Sequence, residues 1–84
     1  MKFLVVFEKT NTGYSAYSPD VPGCIAAGGT LEETEKLMRE ALEGHLEWMR
    51  RDNDEMPKPV SRVAFFEYDA AAGGGVRQQR AVVG

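Results

Sequence analysis

An α+β fold, in the order β-β-β-α-β with one helix packed on a small, mainly antiparallel sheet, follows from three observations. Apolar residues between Leu31 and Arg51 recur at spacings of three and four, the mark of one helix laid on a sheet. Three stretches of strand composition precede that helix. The links between them are too short for parallel crossovers, so they form an antiparallel meander. Eighty-four residues make one domain, with a thin core, because a chain of this size buries only about 60–65% of its unfolded surface.

Residues 2–8, KFLVVFE, join β-branched and aromatic side chains into the first strand. Its continuous apolar middle predicts burial on both faces or a central place in the sheet. Thr10, Asn11, Thr12 and Gly13 supply a turn. Tyr14, Ala16 and Ser18 then alternate with Ser15 and Tyr17 at the two-residue period of a strand near 13–18. Pro19 and Pro22 bracket Asp20, and Gly23 follows, so this strand ends in a rigid corner in which Asp20 hydrogen-bonds its own backbone. A third strand, near 24–27, is broken by Gly28 and Gly29. Thr30, Leu31, Glu32 and Glu33 then spell a capping box. In it the Thr30 hydroxyl accepts from the Glu33 amide, and the Glu33 carboxylate reaches back to the Thr30 amide.

The helix stripe is Leu31, Leu37, Met38, Ala41, Leu42, Leu46 and Met49, with Glu32, Glu33 and Glu35 in the first turns and Arg50 and Arg51 in the last. These charges complement the macrodipole at both ends. Asp52, Asn53 and Asp54 end the helix, and Met56-Pro57-Lys58-Pro59 makes an extended connector. Residues 60–68, VSRVAFFEY, alternate imperfectly and read as a last strand returning to make a four-stranded sheet. The chain thus divides into an α+β domain over 1–69 and a flexible or partner-ordered tail over 70–84, glycine-rich at its start and carrying two arginines. With one helix on one face, the other face of the sheet stays uncovered, which predicts self-association or a partner.

Composition narrows the function. Hydrophobic residues make up 43% and charged residues 27%, too apolar for wholesale disorder. No stretch approaches the ~20 apolar residues that span a bilayer, and Phe3 to Phe7 is shorter than the ~7–15 residues of a secretory core. A cytoplasmic protein without membrane contact is expected. A net charge of −3 argues against duplex binding, which needs a basic face, and favours a basic protein partner. Cys24 is the only cysteine, so neither a disulfide nor a thiolate metal site can form within one chain.

Candidate chemistry is sparse. A catalytic thiol at Cys24 needs a base and an orienting group, yet the only histidine, His45, lies on the helix. A buried filler fits Cys24, and packing at the edge of the apolar stripe fits His45. Asp20, Glu32 and Glu33 raise a metal-dependent nuclease, but the corner and the helix start account for all three. Gly28 and Gly29 lack the lysine and the remaining glycines of a phosphate loop. Trp48, near Arg50 and Arg51, is either an interface anchor or a cap on the core.

The strand rich in Val and Phe, then Gly13, Tyr14, Ala16, Pro19, Asp20, Pro22, Gly23 and Cys24, then Gly28, Thr30, Glu32 and Glu33, with Pro57 and Pro59 after the helix, resembles the HicB-like antitoxin family. The resemblance covers Met1 to about Tyr68, and the P-D-x-P-G-C to T-x-E-E register is its most specific part. It implies a truncated ribonuclease H-like module, although the acidic set of that enzyme requires carboxylates on the strands and here strand one offers only Glu8 at its end. It implies an antitoxin that covers the active face of a small basic HicA-like toxin and so blocks mRNA cleavage, with no catalysis and no cofactor of its own. Many members carry a C-terminal operator-binding domain, for which residues 70–84 are too short; no direct nucleic-acid contact is therefore expected. Expected partner contacts are Tyr14, Tyr17, Asp20, Pro22, Glu32, Glu35, Glu43 and Trp48, beside self-association into a homo-oligomer. The alternatives are an orphan oligomeric module without a toxin, and a metal-dependent nuclease on the same fold.

Overall fold

The computed structural model describes residues 1–71 and 73–83, with the backbone alone for 77–83. Strands β1 (Val6–Lys9), β2 (Tyr14–Tyr17) and β3 (Ile25–Gly28) form an antiparallel meander in the order β1-β2-β3, and helix α1 (Leu31–Arg51) packs on it. The register aligns Phe7 with Ala16 and Ala16 with Ala26 across the three strands. These three share the face turned to the helix. The core is Ala16, Val21, Cys24 and Met38, with Phe3, Val5, Phe7, Ala26, Ala41, Leu42 and Leu46 packed against it.

The first strand corrects one expectation. Despite its continuous apolar run, β1 lies at the edge of the sheet, and β2 is central. Only Val6–Lys9 enters the ladder, because upstream the Leu4 carbonyl accepts from the Ser18 hydroxyl at 2.8 Å and is tied to the corner instead. Residues 3–7 are half-buried rather than sandwiched.

Two glycines let the hairpin close against the helix start. Gly13 is buried, and a Cβ there would strike the Gly28 carbonyl and come within 2.8 Å of the Gly29 Cα, both backbone atoms that cannot step aside. A Cβ on Gly28 would in turn lie 2.8 Å from Thr34 Oγ1. The cap itself is shifted from the expected box. The Glu33 amide donates to Thr30 Oγ1 at 3.1 Å, but the Glu33 carboxylate accepts from the Gly29 amide, at 2.9 Å, rather than from Thr30. At the other end Asn53 takes a left-handed φ of 56°, and the Asn53 and Asp54 amides donate to the Arg50 and Met49 carbonyls at 3.3 and 2.9 Å. This pair of bonds is a Schellman stop, with asparagine where glycine is commonest.

The helix stripe is also re-aimed. Leu31 and Leu37 are about 40% exposed (41% and 39%), whereas Thr34 is fully buried beside Met38. Thr34 Oγ1 donates to the Thr30 carbonyl at 2.8 Å and lies 3.4 Å from that of Tyr14, so its hydroxyl is satisfied inside the molecule. Leu37 sits about 100° around the helix from Met38 and looks past the narrow sheet.

The last predicted strand exists but does not return to the sheet. β4 (Val63–Tyr68) pairs antiparallel with β5 (Val76–Val83), in a separate two-stranded ribbon whose register shifts between Ala64 and Phe66. β5 lies in the segment expected as a tail. Gly73, Gly74 and Gly75 all take positive φ (91°, 92°, 118°) in the reversal, which the Gly74 amide closes onto the Asp69 carbonyl at 2.8 Å. The nearest apolar run thus supplies β4 with its hydrogen bonds, at a smaller loop-closure cost than the distant β1 edge would. The radius of gyration is 16.0 Å and the longest extent 54 Å, whereas a compact domain of this length has a radius near ~12 Å.

Candidate functional site

The corner after β2 is built by backbone turns in which the Val21 amide donates to Ser18 and the Cys24 amide to Val21, at 3.1 and 3.2 Å. Val21 and Cys24 thereby enter the core, at 1% and 3% exposure. Burial raises the Cys24 thiol above its usual pKa, as suits a filler rather than a nucleophile. Asp20 does not close its own turn. Its Oδ2 accepts from the Ser61 amide at 2.9 Å and its Oδ1 from the Ser61 hydroxyl at 2.8 Å. That carboxylate clamps the base of the β4–β5 ribbon to the corner, a contact across 41 positions that no local pattern announces.

The remaining expected contact residues divide among three places. Tyr17 and Pro22 are exposed at the end of β2 and in the corner. Tyr14, half-buried, stands opposite Lys9, whose Nζ lies 5.1 Å from its ring centroid. Glu32, Glu35 and Glu43 are exposed on one flank of α1, because at about 100° per residue they fall within one arc. Trp48, 59% exposed, lies on the opposite flank with Leu37. On the acidic flank Glu35 pairs with Arg39 at 3.0 Å, while Glu32, Glu40 and Glu43 have no ion partner among the described residues. Glu32, Glu35, Lys36, Arg39 and Glu40 line one shallow recess there. His45 is half-buried at the core side of the helix.

Asp20 and the pair Glu32 and Glu33 stand at opposite ends of β3, the first held by Ser61 and Glu33 by the Gly29 amide. Carboxylates placed so cannot share the two ions, ~3.5–4 Å apart, of a two-metal site. What sequence reasoning missed is the aromatic exposure of β4, where Phe65, Phe66 and Tyr68 are 57%, 61% and 63% exposed. Its signal was the imperfect alternation of VAFFEY, apolar on both faces of one strand.

Among the described residues no helix is long and apolar enough to cross a membrane. Residues 3–77 match the family described as HicB_like antitoxin of bacterial toxin-antitoxin system. An uncharacterized 14.9 kDa protein in the rep-hol intergenic region of Haemophilus phage HP1 is 45% identical over 58 residues, 69% of this chain and 44% of its own. Antitoxin HicB 2 of Photorhabdus laumondii is 32% identical over 72 residues, 84% of this chain and 52% of its own. A UPF0150 protein of Thermoplasma acidophilum is 30% identical over 59 residues, 69% of this chain and 86% of its own. The chain spans about half the length of the first two relatives. No solved structure matches it at a significant level. With its corner, glycine crossing and capped helix all inside the matched span, the chain belongs to the HicB-like antitoxin family.

Proposed function

We propose that this chain is the antitoxin of a type II toxin–antitoxin pair and neutralises a small, basic, mRNA-cleaving toxin of the HicA kind by covering its active face. It acts by binding, in the cytoplasm, without catalysis, a cofactor or direct contact with nucleic acid. The β1-β2-β3-α1 order supports describing its body as a truncated ribonuclease H-like module. Family membership supports the antitoxin class. The observation that carries the partner's character is the acidic flank of α1, where Glu32 and Glu43 are exposed and lack a cation among the described residues. Such a flank attracts a basic surface and speeds encounter with it. Tyr14, Tyr17, Asp20, Pro22 and Trp48 are proposed as further contacts, with Asp20 acting through the corner that it fixes.

The test is co-expression with the small basic protein encoded beside this chain, followed by association kinetics on the purified pair. Relief of growth arrest and a stable complex are expected. Replacing Glu32, Glu35 and Glu43 together by glutamine should slow association and flatten its dependence on salt. Unchanged rates would remove the electrostatic part, and arrest that persists despite binding would remove neutralisation.

A further inference from the structure

Helix α1 carries a second apolar row that the described residues leave uncovered. Leu37, Ala41, Gly44 and Trp48 are spaced by four, three and four residues, so they fall within an arc of about 60° and run for about 16 Å along one flank. Leu37 and Trp48 are 39% and 59% exposed. Gly44 is exposed as well, and a Cβ built there would meet nothing within 4 Å. Glycine is the worst helix former after proline, and the packing around Gly44 gives no reason for it in the middle of this helix. A gap between a leucine and a tryptophan is, however, what a bulky side chain of an approaching helix needs.

We infer that this row seats an α-helix of the basic partner, with a bulky apolar side chain of that helix entering the gap at Gly44. This seat presupposes the partner proposed above and names the element of it that lands here. The spacing is the four-three alternation by which two helices interlock side by side. Charge decides whose helix it is. Glu33, Glu40 and Glu47 recur every seven residues along the outer crest of α1 and border the row. Glu33 is tied to the Gly29 amide and Glu47 to Arg50 and Arg51, whereas Glu40 has no ion partner among the described residues. A second copy of this chain fits badly. Laid antiparallel, its helix would set this column against itself; laid parallel, against Met38, His45 and Asp52, none of them a lysine or arginine. A helix that bears lysine or arginine beside its own apolar row satisfies both features at once.

Trp48 is the anchor of the seat, since tryptophan is enriched among the few residues that dominate an interface. Ala41 and Gly44 bring the partner helix in, because small residues at the contact move two helix axes toward the near end of the ~8–10 Å range. The inner border of the row is Met38, buried, and His45, half-buried, so the seat runs from the crest to the edge of the core. Across the crest, Glu40 lines one recess with Glu32 and Glu35. The seat thus adjoins the acidic flank that draws the partner in.

The test is the affinity of the full chain for the small basic protein encoded beside it, with circular dichroism and urea unfolding on each variant. Trp48→Ala should weaken binding about 30-fold, as the loss of a dominant interface residue does. Gly44→Leu should weaken it about tenfold by filling the gap, yet leave the chain at least as stable as before, because leucine favours the helix and the site has room. A merely structural role would move stability and spare affinity, the reverse of that result. In the complex, hydrogen exchange on the partner should show new protection within a helix. A complex whose affinity neither variant changes, or whose newly protected partner segment is a strand or a loop, would overturn the seat and leave the antitoxin reading standing. No complex at all would overturn both.

Discussion

The body and the ribbon of this protein are built from similar residues and held in different ways. In β1–β3 and α1 the side chains that matter are small or medium, Ala16, Val21, Cys24 and Met38, and they are almost wholly buried. In β4 they are larger, Phe65, Phe66 and Tyr68, and they are mostly exposed. Hydrophobicity therefore does not by itself decide what is inside. What decides it is whether a second layer lies opposite, and only the body has one, the helix. Among the described residues the ribbon is a strand pair with backbone bonds and no helix laid on it, and the Asp20 carboxylate holds its base to the body.

The largest expected contrast comes from truncating one side chain in each region. Met38→Ala should cost about 2–5 kcal/mol in urea unfolding, the range for emptying a packed core site. Phe65→Ala should stay within roughly 0.5 kcal/mol, as surface changes do. Equal losses would mean that the ribbon has a packed face after all.

The clamp comes next. Asp20→Ala removes the acceptor of two Ser61 donors and should cost about 1.5–3 kcal/mol, since the lost bonds involve a charged group. Hydrogen exchange should then rise first at the Ser61 amide and through the connector, ahead of the sheet amides. Exchange that rises uniformly would show that the carboxylate holds the body together rather than joining the ribbon to it.

Thr30→Ala should cost about 1 kcal/mol by freeing the Glu33 amide. The loss should appear as fraying of the first helical turn, in the body alone. The smallest effect belongs to the far end of the helix. Hydrogen bonding and then attraction from Arg50 hold the Glu47 carboxyl below the usual glutamate pKa. A carboxyl lowered in this way adds stability above the unfolded value and loses it as pH falls through the folded one. Helix-end protection should thus fade on acidification below the ordinary glutamate range, and only slightly, because the pair is exposed and screened.

Much of the candidate surface was legible because it is local. The glutamates of one flank follow from helical period, and Cys24 as a filler follows from the lack of any base near it in sequence. Thr34 was not legible as a buried residue, since a threonine in a helix is usually read as surface. Its burial depends on Gly13 and Gly28 bringing the hairpin within reach of its hydroxyl. The sequence leaves Trp48 between core and surface, because the width of the sheet decides which side it takes. The structure puts it outside, on the flank away from the free carboxylates.

By itself the sequence determined the helix with both of its stops, the meander and the corner between two prolines, because caps, alternation and turn residues act over one to four positions. Only the tertiary structure decided that Asp20 bonds Ser61, that the apolar first strand is an edge, and that β4 pairs with β5 instead of completing the sheet. Those are choices among partners far apart in the chain. A strand's composition states that it will pair and does not state with which edge; loop closure, a backbone contact at a single glycine and one carboxylate made that selection.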